Sequence, residues 1–218
     1  MPESIHIPLW VDLIAVFVGA SQGTSLAMIE ERPRLAPTGA LVLSATTGLG
    51  GSILRDLVLN VRPAAFVSNW YLGTVAAAFL ATWVVERFVR DTARFVALLD
   101  AATLGVYACA GALKAEEAGL SMLSVLFVAT IAATGGSLVR DLLLARVPLI
   151  MLPGELYLVP AVASGTVFVL FGLLSPPLPT RFFAAAVVGF GLRVIAMWRR
   201  WEVGPIRNPG RRRTPRAP

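Results

Sequence analysis

Runs of apolar residues separated by short polar stretches fill nearly the whole chain, at about 8–29, 37–60, 68–88, 94–115, 121–145, 155–174 and 180–200. Each is close to the ~20 residues that an α-helix needs to cross a ~30 Å hydrocarbon core. The pattern predicts an all-α membrane protein of seven transmembrane helices, here called spans one to seven. Six crossings would leave one run lying in the membrane interface, and none has the strongly polar face which that position demands.

The polar positions inside these runs repeat. In the second span Gly50-Gly51-Ser52-Ile53-Leu54-Arg55-Asp56-Leu57-Val58-Leu59 is answered in the fifth by Gly135-Gly136-Ser137-Leu138-Val139-Arg140-Asp141-Leu142-Leu143-Leu144. Carried on to Pro63 and Pro148, the copies agree at eight of fourteen positions at a constant offset, without a gap. The duplication extends outward. Asp12, Ala20, Gly23 and Ala27 of the first span match Asp100, Ala108, Gly111 and Ala115 of the fourth, and Tyr71-Leu72 matches Tyr157-Leu158.

Residues of about 8–88 and 94–174 therefore read as two copies of a three-helix unit. A unit with an odd number of crossings re-enters the membrane from the opposite side, so the copies are expected to be inverted. Such repeats are related by an axis in the membrane plane and place the permeation or binding site near the midplane. Gly50-Gly51 and Gly135-Gly136 should face one another across that axis. The seventh span, at about 180–200, stands outside the repeat. It follows Pro176-Pro177-Leu178-Pro179 and ends in Trp198-Arg199-Arg200-Trp201, an aromatic and basic interfacial anchor.

Composition supports the membrane reading, with 56% hydrophobic and only 15% charged residues and a mean hydropathy of +0.74; a soluble domain carries about 25% charged residues. The net charge of +6 does not describe a nucleic-acid surface, because seven of the nineteen basic residues lie between Arg199 and Arg216. Residues 203–218 read as a disordered basic tail drawn to anionic lipid. Residues 1–202 form a single transmembrane domain. Thirteen basic residues fall on one side of the predicted spans and three, Arg62, Lys114 and Arg181, on the other. By the positive-inside rule the N-terminus lies outside and the C-terminus in the cytoplasm of a cell with this protein in its inner or plasma membrane. The first run has neither a basic flank nor a clean cleavage site, and reads as a retained helix.

One cysteine, Cys109, and one histidine, His6, leave no internal disulfide and no thiolate or histidine metal cluster. Neither a nucleophile with its base nor a metal spacing is present, so an enzyme is not expected, nor a cofactor. The chemistry lies in the charges. Arg55, Asp56, Arg140 and Asp141 are costly inside a membrane, and such residues mark functional sites. Neighbours on a helix point about 100° apart, so each arginine is expected to pair with an acid on another helix, Asp12 and Asp100 being available. The glycine pairs suit close backbone approach. They also suit kinks that free carbonyls to replace water around a monovalent cation, with the Ser52 and Ser137 hydroxyls beside them. Lys114, followed by Glu116 and Glu117, is either a snorkelling lysine or a voltage-sensing charge.

Two Gly-Gly-x triplets, an Asp-x10-Gly frame on spans one and four, and Gly191-Leu192-Arg193 ahead of a tryptophan on span seven resemble a prokaryotic member of the trimeric intracellular cation (TRIC) channels. The pattern is also similar to a bacterial inner-membrane family labelled glycine transporters. The resemblance covers about residues 10–202. It implies a homotrimer with one potassium-permeable pore per protomer, lined by kinked spans two and five at Gly50-Gly51-Ser52 and Gly135-Gly136-Ser137. Permeant K+ or Na+ near the same glycines would be the only ions held. The animal members are gated by voltage, calcium and lipid through a lysine-containing segment near their own triplet, whereas here the triplets are followed by neutral residues.

Two functions fit. In a passive channel for monovalent cations, Arg55, Asp56, Arg140, Asp141, Asp12, Asp100 and Lys114 would form a charge network around the path. In a secondary transporter of a small zwitterion such as glycine, half-helix N-termini would hold the carboxylate and Asp12 or Asp100 the ammonium. The small-residue face Ala184-Ala185-Ala186 with Gly189 permits self-association.

Overall fold

A computed structural model describes residues 8–30 and 34–204; His6, Arg32 and the tail beyond Gly204 lie outside the described residues. Every predicted run is helical: α1 (Leu9–Ile29), α2 (Pro37–Val58), α4 (Asn69–Val85), α5 (Thr92–Glu117), α6 (Met122–Leu143), α7 (Leu158–Gly172) and α8 (Leu178–Arg199). An eighth, short helix, α3 (Ala64–Val67), follows α2. Four of these, α1, α5, α6 and α8, are both long and apolar enough to cross a membrane on their own. The serines, threonines and glycines of α2 lower its hydropathy, and α4 and α7 have only 17 and 15 residues.

The ends of α2 and α6 show how local sequence sets the architecture. Each closes on a residue in the left-handed region, Asn60 (φ 54°) and Ala145 (φ 53°), which hold the same place in the two copies. The next amide reaches back in the six-to-one Schellman manner, Val61 N to Asp56 O at 3.0 Å and Arg146 N to Asp141 O at 2.9 Å. The side chains of the same aspartates then reach the following element. Asp56 Oδ2 accepts from Ala64 N at 2.9 Å, and Asp141 Oδ2 from Leu149 N at 3.2 Å. They thereby satisfy the amides that open α3 and the 3-10 turn at Leu149–Met151, which have no partner inside their own helix.

At the centre, α2 packs on α6, with α1 against α2, α4 and α5, and α5 against α6, α7 and α8. Small residues make this packing possible. A Cβ on Gly23 would come within 2.6 Å of Leu43 O, and one on Gly105 within 2.6 Å of Ala186 O. A two-residue antiparallel pairing, β1 (Gly154–Glu155) with β2 (Glu202–Val203), clips the end of α8 to the segment entering α7.

Candidate functional site

The glycine pairs meet where α2 crosses α6. A Cβ on Gly50 would stand 3.1 Å from Gly136 Cα, and one on Gly135 3.2 Å from Gly51 Cα. On Gly51 it would overlap the Ala132 carbonyl oxygen, and on Gly136 that of Thr47. Thr47 and Ala132 also occupy corresponding places in the two copies, so the two carbonyls face the opposing glycines in matched fashion.

Both α2 and α6 are helical throughout, and the serine hydroxyls bond their own helices, Ser52 Oγ donating to Leu49 O at 2.9 Å and Ser137 Oγ to Thr134 O at 2.8 Å. The glycines are used here for backbone contact between the two helices. Tyr107 of α5 completes the crossing. Its hydroxyl donates to Gly48 O, and its ring would touch a Cβ placed on Gly19 or Gly51 at 3.2 and 3.3 Å.

One turn beyond each glycine pair lies a cluster of two acids and two bases. In the first, Arg55 binds Asp12 with two nitrogens, Nη1 at 2.7 Å and Nη2 at 3.1 Å, and also donates from Nε to Asp56 at 2.8 Å. Lys114 Nζ adds itself to Asp56 at 2.8 Å, and Tyr71 Oη donates to Asp12 at 2.8 Å. All four charged residues are at most 2% exposed. Lys114 is thus not a snorkelling lysine; its ammonium is consumed by the acid of another helix.

In the second cluster Arg140 donates from Nε to Asp141 at 2.9 Å. Asp100 is held by Tyr157 Oη at 2.9 Å, by Gln22 Nε2 at 2.5 Å, and by Arg193 Nη2 at 3.5 Å. Two expectations are corrected. Adjacent arginine and aspartate do bond each other in both copies, because the long arginine arm folds back across the ~100° between neighbours. Among the described residues Arg140 has no two-pronged bond to Asp100 like that of Arg55 to Asp12, and Asp100 has Arg193 of α8 at 3.5 Å.

Asp100, Arg140, Asp141, Tyr157, Gln22 and Arg193 line a half-open cavity of about 920 Å³. Arg146, also on its wall, pairs with Glu30. Sequence reasoning missed Gln22, Tyr107 and Arg193 as parts of the site, and found Tyr71 and Tyr157 only as repeat markers. A buried polar residue inside an apolar span was the available signal for all three. Glu116 turns out to pair with Arg181, clear of both clusters. Cys109 is buried against Ser164 and Phe182 as a packing residue.

A bundle of apolar helices with buried ionic clusters and glycine-to-glycine backbone contact is a polytopic membrane protein. A family model described as glycine transporter matches residues 9–87 and 97–172, and the chain belongs to that family. A UPF0126 membrane protein of Deinococcus radiodurans is 34% identical over 215 residues, covering 95% of this chain and 94% of its own. Among solved structures, one described as the structural basis for conductance through TRIC cation channels is 28% identical with a TM-score of 0.75, covering 93% of this chain and 98% of that one. The trimeric intracellular cation channel orthologue from Rhodobacter sphaeroides is 26% identical with a TM-score of 0.77, covering 87% and 97%. The fold is therefore that of the TRIC channels.

Proposed function

We propose that the protein is a passive channel for monovalent cations, chiefly K+, in the inner membrane. Each protomer of a homotrimer holds its own path, between α2 and α6. Seven helices cross, α3 being the one that does not, and residues 8–88 and 94–174 are inverted copies with the N-terminus outside. The observation that carries this reading is the matched crossing, in which Gly50-Gly51 and Gly135-Gly136 touch through their backbones. The likeness to cation channels over 93% of the chain supports it.

With the backbones in contact, the crossing is shut. Conduction requires α2 and α6 to part at the glycines, which costs little side-chain packing because glycine contributes none. The carbonyls of Thr47 and Ala132 then face the gap from opposite helices. Each keeps a lone pair beyond its helical bond, so together with Ser52 and Ser137 they are suited to replace water around a dehydrated cation. The charge clusters anchor the two helices beyond the crossing, each neutral by its own pairing. Lipid is expected at the outer helix faces and around the basic tail.

A second reading, a carrier of a small zwitterion such as glycine, is favoured by the description of the family model and by the cavity that presents arginines and aspartates together. Flux decides between them. Unitary currents carried by K+ support the channel; saturable, stereoselective uptake of glycine into liposomes without unitary currents supports the carrier.

A further inference from the structure

Each charge cluster holds two acids and two bases, and the second base comes from a different helix in each. In the first, Asp12, Asp56 and Arg55 are completed by Lys114, whose Nζ lies 2.8 Å from Asp56 Oδ1. Lys114 belongs to the other copy, so α5 reaches across the repeat to the acid of α2. The offset that aligns Asp12 with Asp100 and Gly23 with Gly111 also aligns Leu26 of α1 with Lys114. Beside Asp141, where the duplication would place an ammonium, the chain has leucine.

That place is the cavity. Leu26, Asp100, Arg140 and Asp141 all line it, and Asp141 is bonded by Arg140 and by Leu149 N. The fourth charge arrives from outside the duplication. Arg193 of α8 sets Nη2 3.5 Å from Asp100 Oδ2, with Nη1 3.2 Å from Leu156 O and its guanidinium 4.8 Å from the Tyr157 ring centre. The pairing of residues 154–155 with 202–203 and the bond from Leu156 N to Trp201 O hold the end of α8 beside these partners. With Arg146 of the same wall paired to Glu30, the described charges around the cavity balance.

We propose that Arg193 takes over in the second copy the part that Lys114 plays in the first, and that by balancing Asp100 and Asp141 it keeps the cavity from concentrating cations, divalent ones above all. The inference rests on the channel reading. Two carboxylates against one guanidinium would leave a surplus negative charge between low-dielectric walls, and such a charge raises the local cation concentration. A potential that enriches K+ about threefold enriches a doubly charged ion by the square of that, about tenfold. Arg193 acts through Asp100 and is therefore a positioning residue. The helix outside the duplication supplies the charge that the duplication lost at Leu26.

The test is single-channel recording with K+ on the full-length protein. Arg193→Gln raises unitary conductance about threefold at low salt, and Mg2+ on the cavity side blocks it about tenfold more strongly than the native current. Both effects fade near 1 M salt, where the screening length is only about 3 Å. Arg193→Lys stays near the native value. Leu26→Lys puts an ammonium at the place that matches Lys114; it lowers conductance by itself and brings Arg193→Gln back to the native value. A merely structural loss would not be made good by a charge supplied from α1. If Arg193→Gln does not fold, recovery of folding by Leu26→Lys supports the proposal and failure to recover overturns it. A second readout does not depend on flux. In thermal unfolding the two changes together are less damaging than their sum, with a coupling of about tenfold in the unfolding equilibrium. Conductance unaltered by Arg193→Gln, or altered and not brought back by Leu26→Lys, would overturn the proposal and leave the channel intact. A native protein without K+ currents would overturn the channel reading and the effect on cations with it, while the unfolding cycle would still report whether Arg193 stands in for the missing lysine.

Discussion

Lys114 Nζ lies 2.8 Å from Asp56 Oδ1, joining α5 to α2 through two side chains that are almost wholly buried. With Arg55 already shared between Asp12 and Asp56, this bond brings the cluster to neutrality. Removing one member of a buried pair leaves an uncompensated charge and costs about 3–5 kcal/mol. Lys114→Met is therefore expected to lower the detergent unfolding temperature sharply. Combined with Asp56→Asn, it should lose clearly less than the sum of the two single changes, because the charges then leave together.

The glycine crossing predicts a contrast within one residue type. Gly51→Ala and Gly136→Ala drive a methyl group into the backbone of Ala132 or Thr47, whereas Gly73 in α4 and Gly191 in α8 have nothing within 4 Å of an added Cβ. The first pair is expected to destabilise by about 1–3 kcal/mol and to alter K+ flux. The second pair should be neutral or stabilising by about 0.5–1 kcal/mol, since alanine is the better helix former. Unfolding and flux measured on all four variants check the contrast.

Tyr107 ties α5 to the Gly48 carbonyl beside the crossing. Tyr107→Phe keeps the ring and removes the bond, with an expected loss of about 1 kcal/mol in stability. If parting of α2 from α6 opens the path, the same variant spends a larger fraction of time open. Recordings that show lower open probability would set Tyr107 outside the gate.

Arg62 and Val147 hold corresponding places beyond the ends of α2 and α6. Inverted repeats place them on opposite sides of the membrane. Cysteines at these two positions, in a Cys109→Ser background, are expected to react with an impermeant maleimide from the outside at position 62 and not at 147. Equal labelling at both would contradict the inversion.

Much of this architecture was legible in the sequence because a membrane leaves few choices. Apolar length fixed the seven principal helices to within a few residues, and the glycine pairs met as their repeat required. The Arg55–Asp12 pair followed from the cost of an unpaired buried charge. Geometry that depends on reach was not legible. Helical spacing tells where an arginine Cα lies, not where a guanidinium several bonds away comes to rest, so the Arg55–Asp56 and Arg140–Asp141 bonds were missed. Arg193 was hidden for another reason: it belongs to α8, which has no copy in the repeat against which to read it. The left-handed Ala145 carries no glycine or asparagine signal, and only its match with Asn60 makes it intelligible.

The most direct test of the channel reading is a planar-bilayer recording of the purified protein under a K+ gradient, followed by addition of glycine. Discrete currents that reverse near the K+ equilibrium potential and are unaffected by glycine are the predicted result. Electrical silence at every voltage, together with saturable glycine uptake by liposomes containing the same preparation, would contradict it and make the glycine crossing part of a carrier.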